Sequence, residues 1–229
     1  MDPSSFRSIA FPPLEEAAPD GLLMCGGELT SDWLVSAYSQ GIFPWPWVEQ
    51  GREMLAWYAP DPRAVIDLET AHIPRRLQRR LRRGEFSFTV NRCFEEVVRR
   101  CALPRSRDSG TWITPRMVEA YCQLHQLGGA HSVESWSDGR LVGGLYGVSW
   151  GGFFAGESMF HEQRDASKAA LAHLISLLQQ YEFCLFDVQQ ASSHTQAFGA
   201  AMLPREVFLQ RLQQALASPI SFASLESRN

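Results

Sequence analysis

The stretch HSVESWSDGRLVGGLYGVSWGGFFAGESMF, residues 131–160, decides the fold. Its runs HSVESW, LVGGLYGVSW and FFAGESMF are separated by SDGR and by Gly151-Gly152, both turn signals, the second suited to a two-residue hairpin. An antiparallel meander is predicted. The last run also holds a carboxylate, Glu157, among glycine, phenylalanine and methionine. A buried ionised carboxylate without a partner is costly, so it is paired, hydrogen-bonded or protonated. Strand alternation places Glu157 on one face with Ala155 and Met159, and the expected partner is a cationic or hydroxylated ligand.

After the meander, a helix is predicted from about Asp165 to Tyr181, with Ala169, Leu171, Leu174, Ile175 and Leu178 as its apolar content. FCLFDVQQ then reads as a short strand, and Pro204 opens a final helix, PREVFLQRLQQAL. Meander, helix and further strand is the core order of the acyl-CoA N-acyltransferase fold, which points to acyl transfer onto an amine. Coenzyme A enzymes of that fold bring backbone N–H groups against the pyrophosphate with a Gln/Arg-x-x-Gly-x-Gly/Ala loop, where a Cβ would block the approach. Here the loop is QRDASKA, residues 163–169, with Ala166 and Lys168 at the glycine positions. Ordinary coenzyme A binding is not expected. Ser167 and Lys168 at the helix start either attract an anion or simply cap and solvate the helix. In FCLFDVQQ the alternation puts Asp187 and Gln189 on one face, able to touch or to share a ligand; the alternative is a hydrogen bond that fastens a loop.

Before the meander, GTWITPRMVEAYCQLHQLGG has Thr114 and Pro115 at a helix start and Gly128 past its end, with His125 as a structural or surface histidine. NRCFEEVVRRCA carries Phe94, Val97, Val98 and Cys101 on one stripe, with Asn91 as the expected cap. In HIPRRLQRRLRRGEF, residues 72–86, Ile73, Leu77 and Leu81 are spaced by four, so that in a helix the leucines face a core while most of Arg75, Arg76, Arg79, Arg80, Arg82 and Arg83 face outward. That surface is either solvated or in contact with phosphates. TSDWLVSAYSQG is a capped helix, and GIFPWPWVEQ reads as a rigid loop presenting Trp45 and Trp47. Composition becomes more regular from Pro62, which places a domain boundary there.

The 229 residues, 45% hydrophobic and 20% charged, suit a folded chain with a substantial core. A net charge of -4 excludes a basic coat, though not a local basic patch. Lys168 is the only lysine beside 20 arginines. Five cysteines without C-x-x-C spacing, and HEQRD failing the H-E-x-x-H pattern, imply neither a disulfide framework nor a metal. No apolar run reaches the ~20 residues of a membrane span, and the start lacks signal-peptide character. A cytoplasmic location is expected.

The motifs IAFPP, DGLLMCGGELT, AYSQGIFPW, APDPRAV, GTWIT, AHSVESW, LVGGLYGV, GESMF, ASKAAL and FDVQ, running nearly end to end, make the chain resemble the leucyl/phenylalanyl-tRNA–protein transferase family. The resemblance implies an α+β fold: a small N-terminal domain, residues 1–62, and an acyl-CoA N-acyltransferase-like domain, 63–229, with a mostly antiparallel sheet flanked by helices. It implies a monomeric cytoplasmic enzyme that moves Leu, Phe or Met from aminoacyl-tRNA to the N-terminal Arg or Lys of proteins, with no cofactor or metal. Carried over by motif, the apolar pocket falls on Trp45, Leu145, Phe154, Met159, Leu171 and Leu174, with Trp112 near the terminal adenosine. Glu157, Asp187 and Gln189 fall on the reaction centre. Arg76, Arg80, Arg83 and Lys168 are the expected tRNA contacts. Leu145, YAP after Trp57 and AFG at 197–199 depart from the family's usual residues and bear on side-chain preference. A small-molecule N-acetyltransferase and a noncatalytic tRNA-binding module are the alternatives.

Overall fold

The computed structural model describes residues 5–49, 51–104 and 111–222, so Gly110 of the GTWIT motif and Gln50 lie outside them. Before residue 62 the elements are short: β1 (Leu22–Cys25), α1 (Ser31–Ser39), β2 (Phe43–Pro44), β3 (Trp47–Glu49), β4 (Arg52–Met54) and β5 (Ala56–Tyr58). β1, β5 and β2 form an antiparallel sheet in that order, and β3 pairs with β4. Thr30 caps α1, its side chain accepting from the Trp33 N–H at 3.4 Å. The run GIFPWPWVEQ, expected as a loop, instead contributes β2 and β3. Pro44 is tolerated because β2 is an edge strand of two residues.

From residue 63 the chain continues as β6 (Arg63–Ile66), α2 (Arg75–Arg82), β7 (Ser87–Val90), α3 (Phe94–Cys101), α4 (Pro115–Gln126), β8 (Ala130–Ser137), β9 (Arg140–Trp150) and β10 (Phe153–His161). There follow α5 (Ala166–Gln180), β11 (Leu185–Gln189), α6 (Ser193–Gln196), β12 (Ala200–Leu203) and α7 (Arg205–Leu216). The seven-stranded sheet has the order β12-β6-β11-β10-β9-β8-β7. Neighbours are antiparallel except β10 and β11, so the fold is α+β with a mostly antiparallel sheet. The meander forms as read. Asp138 and Gly139 turn it at φ 51° and 73°, and Gly151 turns it again at φ 54°, the positive values that tight hairpins need.

Helices cover both faces of this sheet. On one side Leu171, Leu174, Ile175 and Leu178 of α5 and Leu77 of α2 pack with Leu145, Phe154 and Phe186. Each such buried side chain contributes roughly 1.5–3 kcal/mol. On the other side α1, α3 and α4 pack Tyr38, Phe94, Val97 and Tyr121 against Tyr146 and Phe160. The start of α5 lies hard against β9: a Cβ on Gly143 would stand 2.6 Å from that of Ala166.

Two local expectations fail. Asn91 caps no helix; at φ 57° it ends β7, its Oδ1 accepting from the Ser132 N–H at 2.8 Å and its amide meeting His131 Nδ1 at 2.9 Å. The end of the β7–β8 ladder, closed against Ser132 and His131, takes that side chain instead. The common face expected for Ala155, Glu157 and Met159 does not form either. The β9–β10 register slips between Gly156 and Ser158, so Glu157 is an inserted residue, a β-bulge. Ala155 therefore joins the core that holds Tyr146, whereas Met159 packs on the opposite one. The ends of α4 are as expected, with Thr114 accepting from the Met117 N–H at 3.3 Å and Gly128 at φ 78°. His125 is structural, stacked 4.1 Å from Phe94.

Candidate active site

β10 and β11 pair only as far as Ala155 and Asp187. Beyond that they part, and a cavity of about 170 Å³ fills the gap. Its apolar wall comes from Leu145, Met159, Leu171, Leu174, Phe186 and Val188; Tyr146, Glu157 and Gln189 supply polar groups. Trp112 lines it too, and closes 5.3 Å onto Trp45, which borders an adjoining chamber of about 440 Å³. The two chambers share Trp112, Glu157, Met159 and Gln189. Of the apolar residues expected here, Phe154 is misplaced: it points to the core that α5 covers and stands edge-on to Phe186 at 5.7 Å, with no surface on either chamber.

The polar side is built by interruptions of regular strand. The bulge turns the Glu157 carboxylate toward α4, where the Tyr121 hydroxyl donates to its Oε2 at 2.8 Å. Tyr121 has one proton, so its oxygen is left to accept from Tyr38 in the 2.6 Å contact between the two hydroxyls. Gln189 Nε2 donates to Glu157 Oε1 at 3.0 Å. The amide oxygen of Gln189 receives no donor among the described residues. Glu157 is therefore partnered by the protein itself rather than awaiting a ligand.

Asp187 and Gln189 do not emerge side by side. Gln189 sits at φ 54°, and the β6–β11 register slips between it and Asp187. Asp187 is wholly buried and borders neither chamber. Its Oδ1 accepts from the Gln189 backbone N–H at 2.8 Å and from Arg63 Nε at 2.9 Å, and its Oδ2 from Arg63 at 2.8 Å. Asp187 thus meets the chambers' lining through the backbone of Gln189. Arg63, Tyr38, Tyr121 and Tyr146 escaped the sequence reading. The tyrosines sit at ordinary core positions, but Arg63, heading the apolar strand Arg63–Ile66, is a visible charge in a buried run.

Burial holds the phenols of Tyr38, Tyr121 and Tyr146 protonated, well above their ordinary range, with the Glu157 charge adding to the shift. Burial also lifts Glu157 from 4.5 to about 7, against the opposing pull of the Tyr38 and Tyr121 hydroxyls. Between those values the folded chain binds the proton that the unfolded chain has lost. Its stability therefore falls as pH rises through that window, the reverse of a salt-bridged carboxylate. Melting curves of the parent and Glu157→Gln are expected to diverge from pH 5 to 7, the parent losing ground; parallel curves would place the carboxylate in a solvent-like setting.

The arginine helix frames a separate depression of about 580 Å³, bordered by Arg76, Arg79, Arg80, Arg83, Arg164 and Lys168. All four expected tRNA contacts lie there. Arg80, however, is already engaged, with Glu85 at 2.6 Å, Asp165 at 2.8 Å and the Arg164 carbonyl at 2.7 Å. It ties α2 to the start of α5 rather than offering a free cation. Arg83 is exposed and only 4.0 Å from Glu85 at its nearest.

Among the described residues no three metal-ligating side chains gather, and no helix is long and apolar enough to cross a membrane. Residues 65–213 match the family model described as leucyl/phenylalanyl-tRNA protein transferase, and residues 27–61 match that of its N-terminal domain. A Nitratidesulfovibrio vulgaris (strain DP4) protein named leucyl/phenylalanyl-tRNA–protein transferase is 50% identical over 210 residues, covering 91% of this chain and 88% of its own. The protein of the same name from Anaeromyxobacter sp. (strain Fw109-5) is 46% identical, covering 93% and 90%. Among solved structures, L-PGS from Bacillus licheniformis overlaps 72% of this chain and 52% of its own at 14% identity and a TM-score of 0.40. A GCN5-related N-acetyltransferase-like protein from Streptococcus suis 89/1591 overlaps 75% and 63% at 16% and 0.35.

A cavity between splayed strands, walled by aliphatic groups and edged by a tethered amide, suits an enzyme that carries an acyl group, and the relatives make the class a transferase. The chain belongs to the leucyl/phenylalanyl-tRNA–protein transferase family.

Proposed function

We propose that the chain moves leucine, phenylalanine or methionine from a charged tRNA to the N-terminal arginine or lysine of a protein, marking that protein for degradation. The reading rests on one observation: Gln189's nitrogen is held by Glu157 while its oxygen is left to accept at the edge of an apolar cavity. The donor's side chain enters between Leu145, Met159, Leu171 and Leu174, with its adenosine against Trp112. The acceptor's α-amino nitrogen, hydrogen-bonded to Gln189 Oε1, attacks the ester carbonyl carbon. The carbon–oxygen bond to the ribose breaks, and the proton shed by nitrogen ends on the ribose oxygen. A free α-amino group has a pKa of roughly 7.7–8.0, so much of it is already neutral near pH 7.5. The ester is activated beforehand, and orientation carries the rate. Residues 1–62 form a small domain supplying Trp45, residues 63–229 the transfer domain, and the enzyme works as a cytoplasmic monomer.

The assay that tests this supplies Leu-, Phe-, Met- and Ile-tRNA in parallel to an Arg-ended peptide. Transfer of the first three and poor transfer of the β-branched Ile is expected. Absence of any transfer, with tRNA still bound, would leave the noncatalytic binding module. Acetyl-CoA raising the melting temperature would favour the N-acetyltransferase.

The arginine depression receives the tRNA backbone. Since Arg80 is committed to acidic partners, Arg76, Arg79 and Arg83 carry this role with Lys168. Replacing those three arginines with Ala is expected to weaken different charged tRNAs alike and to reduce the logarithmic salt slope by about 2 to 3. Unchanged binding would return the helix to a solvated face.

A further inference from the structure

Arg63 lines neither chamber, yet it clamps the carboxylate that holds the Gln189 backbone N–H. Its guanidinium is 2% exposed and clamps both oxygens of Asp187. Its remaining nitrogen donates to the Gly41 carbonyl at 2.9 Å. The rings of Phe43 and Phe208 lie against it, 4.7 and 4.8 Å from its central carbon. One side chain thus joins the segment after α1, the helix α7 and the strand β11.

We infer that Arg63 is a positioning residue for the transfer reaction, setting where the Gln189 amide points. The path is short. Arg63 fixes the Asp187 carboxylate, and Oδ1 of that carboxylate holds the Gln189 N–H. That bond keeps Gln189 at φ 54°, a conformation uncommon outside glycine and one that a free chain end would leave. In it the side chain swings out of the strand's alternation and reaches Glu157, 3.0 Å away. A guanidinium suits this task because its planar fork fixes direction as well as distance, which an ammonium does not. The seat of the N-terminal segment, through Gly41 and Phe43, is thereby linked to the reacting end of the site.

The inference rests on the proposed role of Gln189, and the test separates the two. Arg63→Lys keeps the charge but loses the fork; Arg63→Gln loses both. Steady-state transfer with Phe-tRNA and an Arg-ended peptide is measured for each, in the parent and in a Gln189→Ala background. In the parent background kcat is expected to fall about 10-fold for Lys and about 10²-fold for Gln, the size of loss that a misplacement of about 1 Å produces. KM for both substrates and the Kd for Phe-tRNA should stay within about threefold of the parent's. In the Gln189→Ala background neither change should lower kcat further, since a residue acting through another adds nothing once that other is gone. Equal losses in both backgrounds, or a folded Arg63→Lys with parental kcat, would overturn the inference while leaving Gln189 in its role. Parental turnover by Gln189→Ala itself would instead remove the function reading on which it rests. Should Arg63→Gln not fold, the Lys variant alone decides.

Discussion

Gln189→Ala is expected to lower turnover by about 10²- to 10³-fold while leaving affinity for Phe-tRNA within about threefold of the parent. The size follows from what the residue is positioned to do. Gln189 lines the cavity with its nitrogen held by Glu157, and in the proposed mechanism its oxygen takes the N–H of the attacking amine. Such an interaction matters most as the new bond forms. The donor's binding, by contrast, is assigned to the aliphatic wall and to the arginine helix, which the substitution does not touch. Gln189→Glu is an instructive companion. It puts a second carboxylate where the amide nitrogen stood 3.0 Å from Glu157, so repulsion would displace the side chain and turnover should fall similarly. If Gln189→Ala turns over at half the parental rate or better, the amide has no part in the chemistry.

Asp187→Ala is expected to destabilise the chain by about 3–5 kcal/mol, because it strands a guanidinium that is buried and built for a carboxylate. For a chain of this size the melting temperature should drop by roughly 6–20 °C. Turnover should fall with it, since the Gln189 N–H loses its acceptor. Asp187→Asn keeps an oxygen for that N–H and should be milder on both counts. Replacing Arg63 and Asp187 together by apolar residues should cost less stability than Asp187→Ala alone, but should not restore turnover. A melting temperature of Asp187→Ala within about 2 °C of the parent would mean that the pair contributes little to holding β6 against β11.

What the sequence disclosed and what it withheld divide along a physical line. The meander was legible because Asp138-Gly139 and Gly151-Gly152 dictate tight turns locally, and α4 because Thr114, Pro115 and Gly128 mark its ends. The aliphatic wall was legible through motif resemblance at Leu145, Met159, Leu171 and Leu174. The polar geometry was not, because two register slips make it. Strict alternation assigns Glu157 to one face with Ala155 and Met159 and Gln189 to Asp187's, and one extra residue in each strand breaks that alternation. Long-range partners were equally hidden: Tyr38 and Tyr121 meet across 83 residues, and nothing near either indicates that their hydroxyls face a carboxylate. Phe154 shares the core under α5 with Leu145, Leu171 and Leu174 but borders neither chamber, meeting edge-on the Phe186 that does, a distinction that motif resemblance alone does not make.

The place of β6 in the large sheet has a consequence for synthesis. It is the first of the seven strands to leave the ribosome, yet both its neighbours, β11 and β12, come from the last third of the chain. Arg63 must wait for a counter-charge 124 residues downstream. Contacts so distant along the chain are late and slow to form. A nascent polypeptide that has not reached residue 187 holds a guanidinium with no carboxylate to clamp, and strand β6 has no neighbour to pair with until β11 follows.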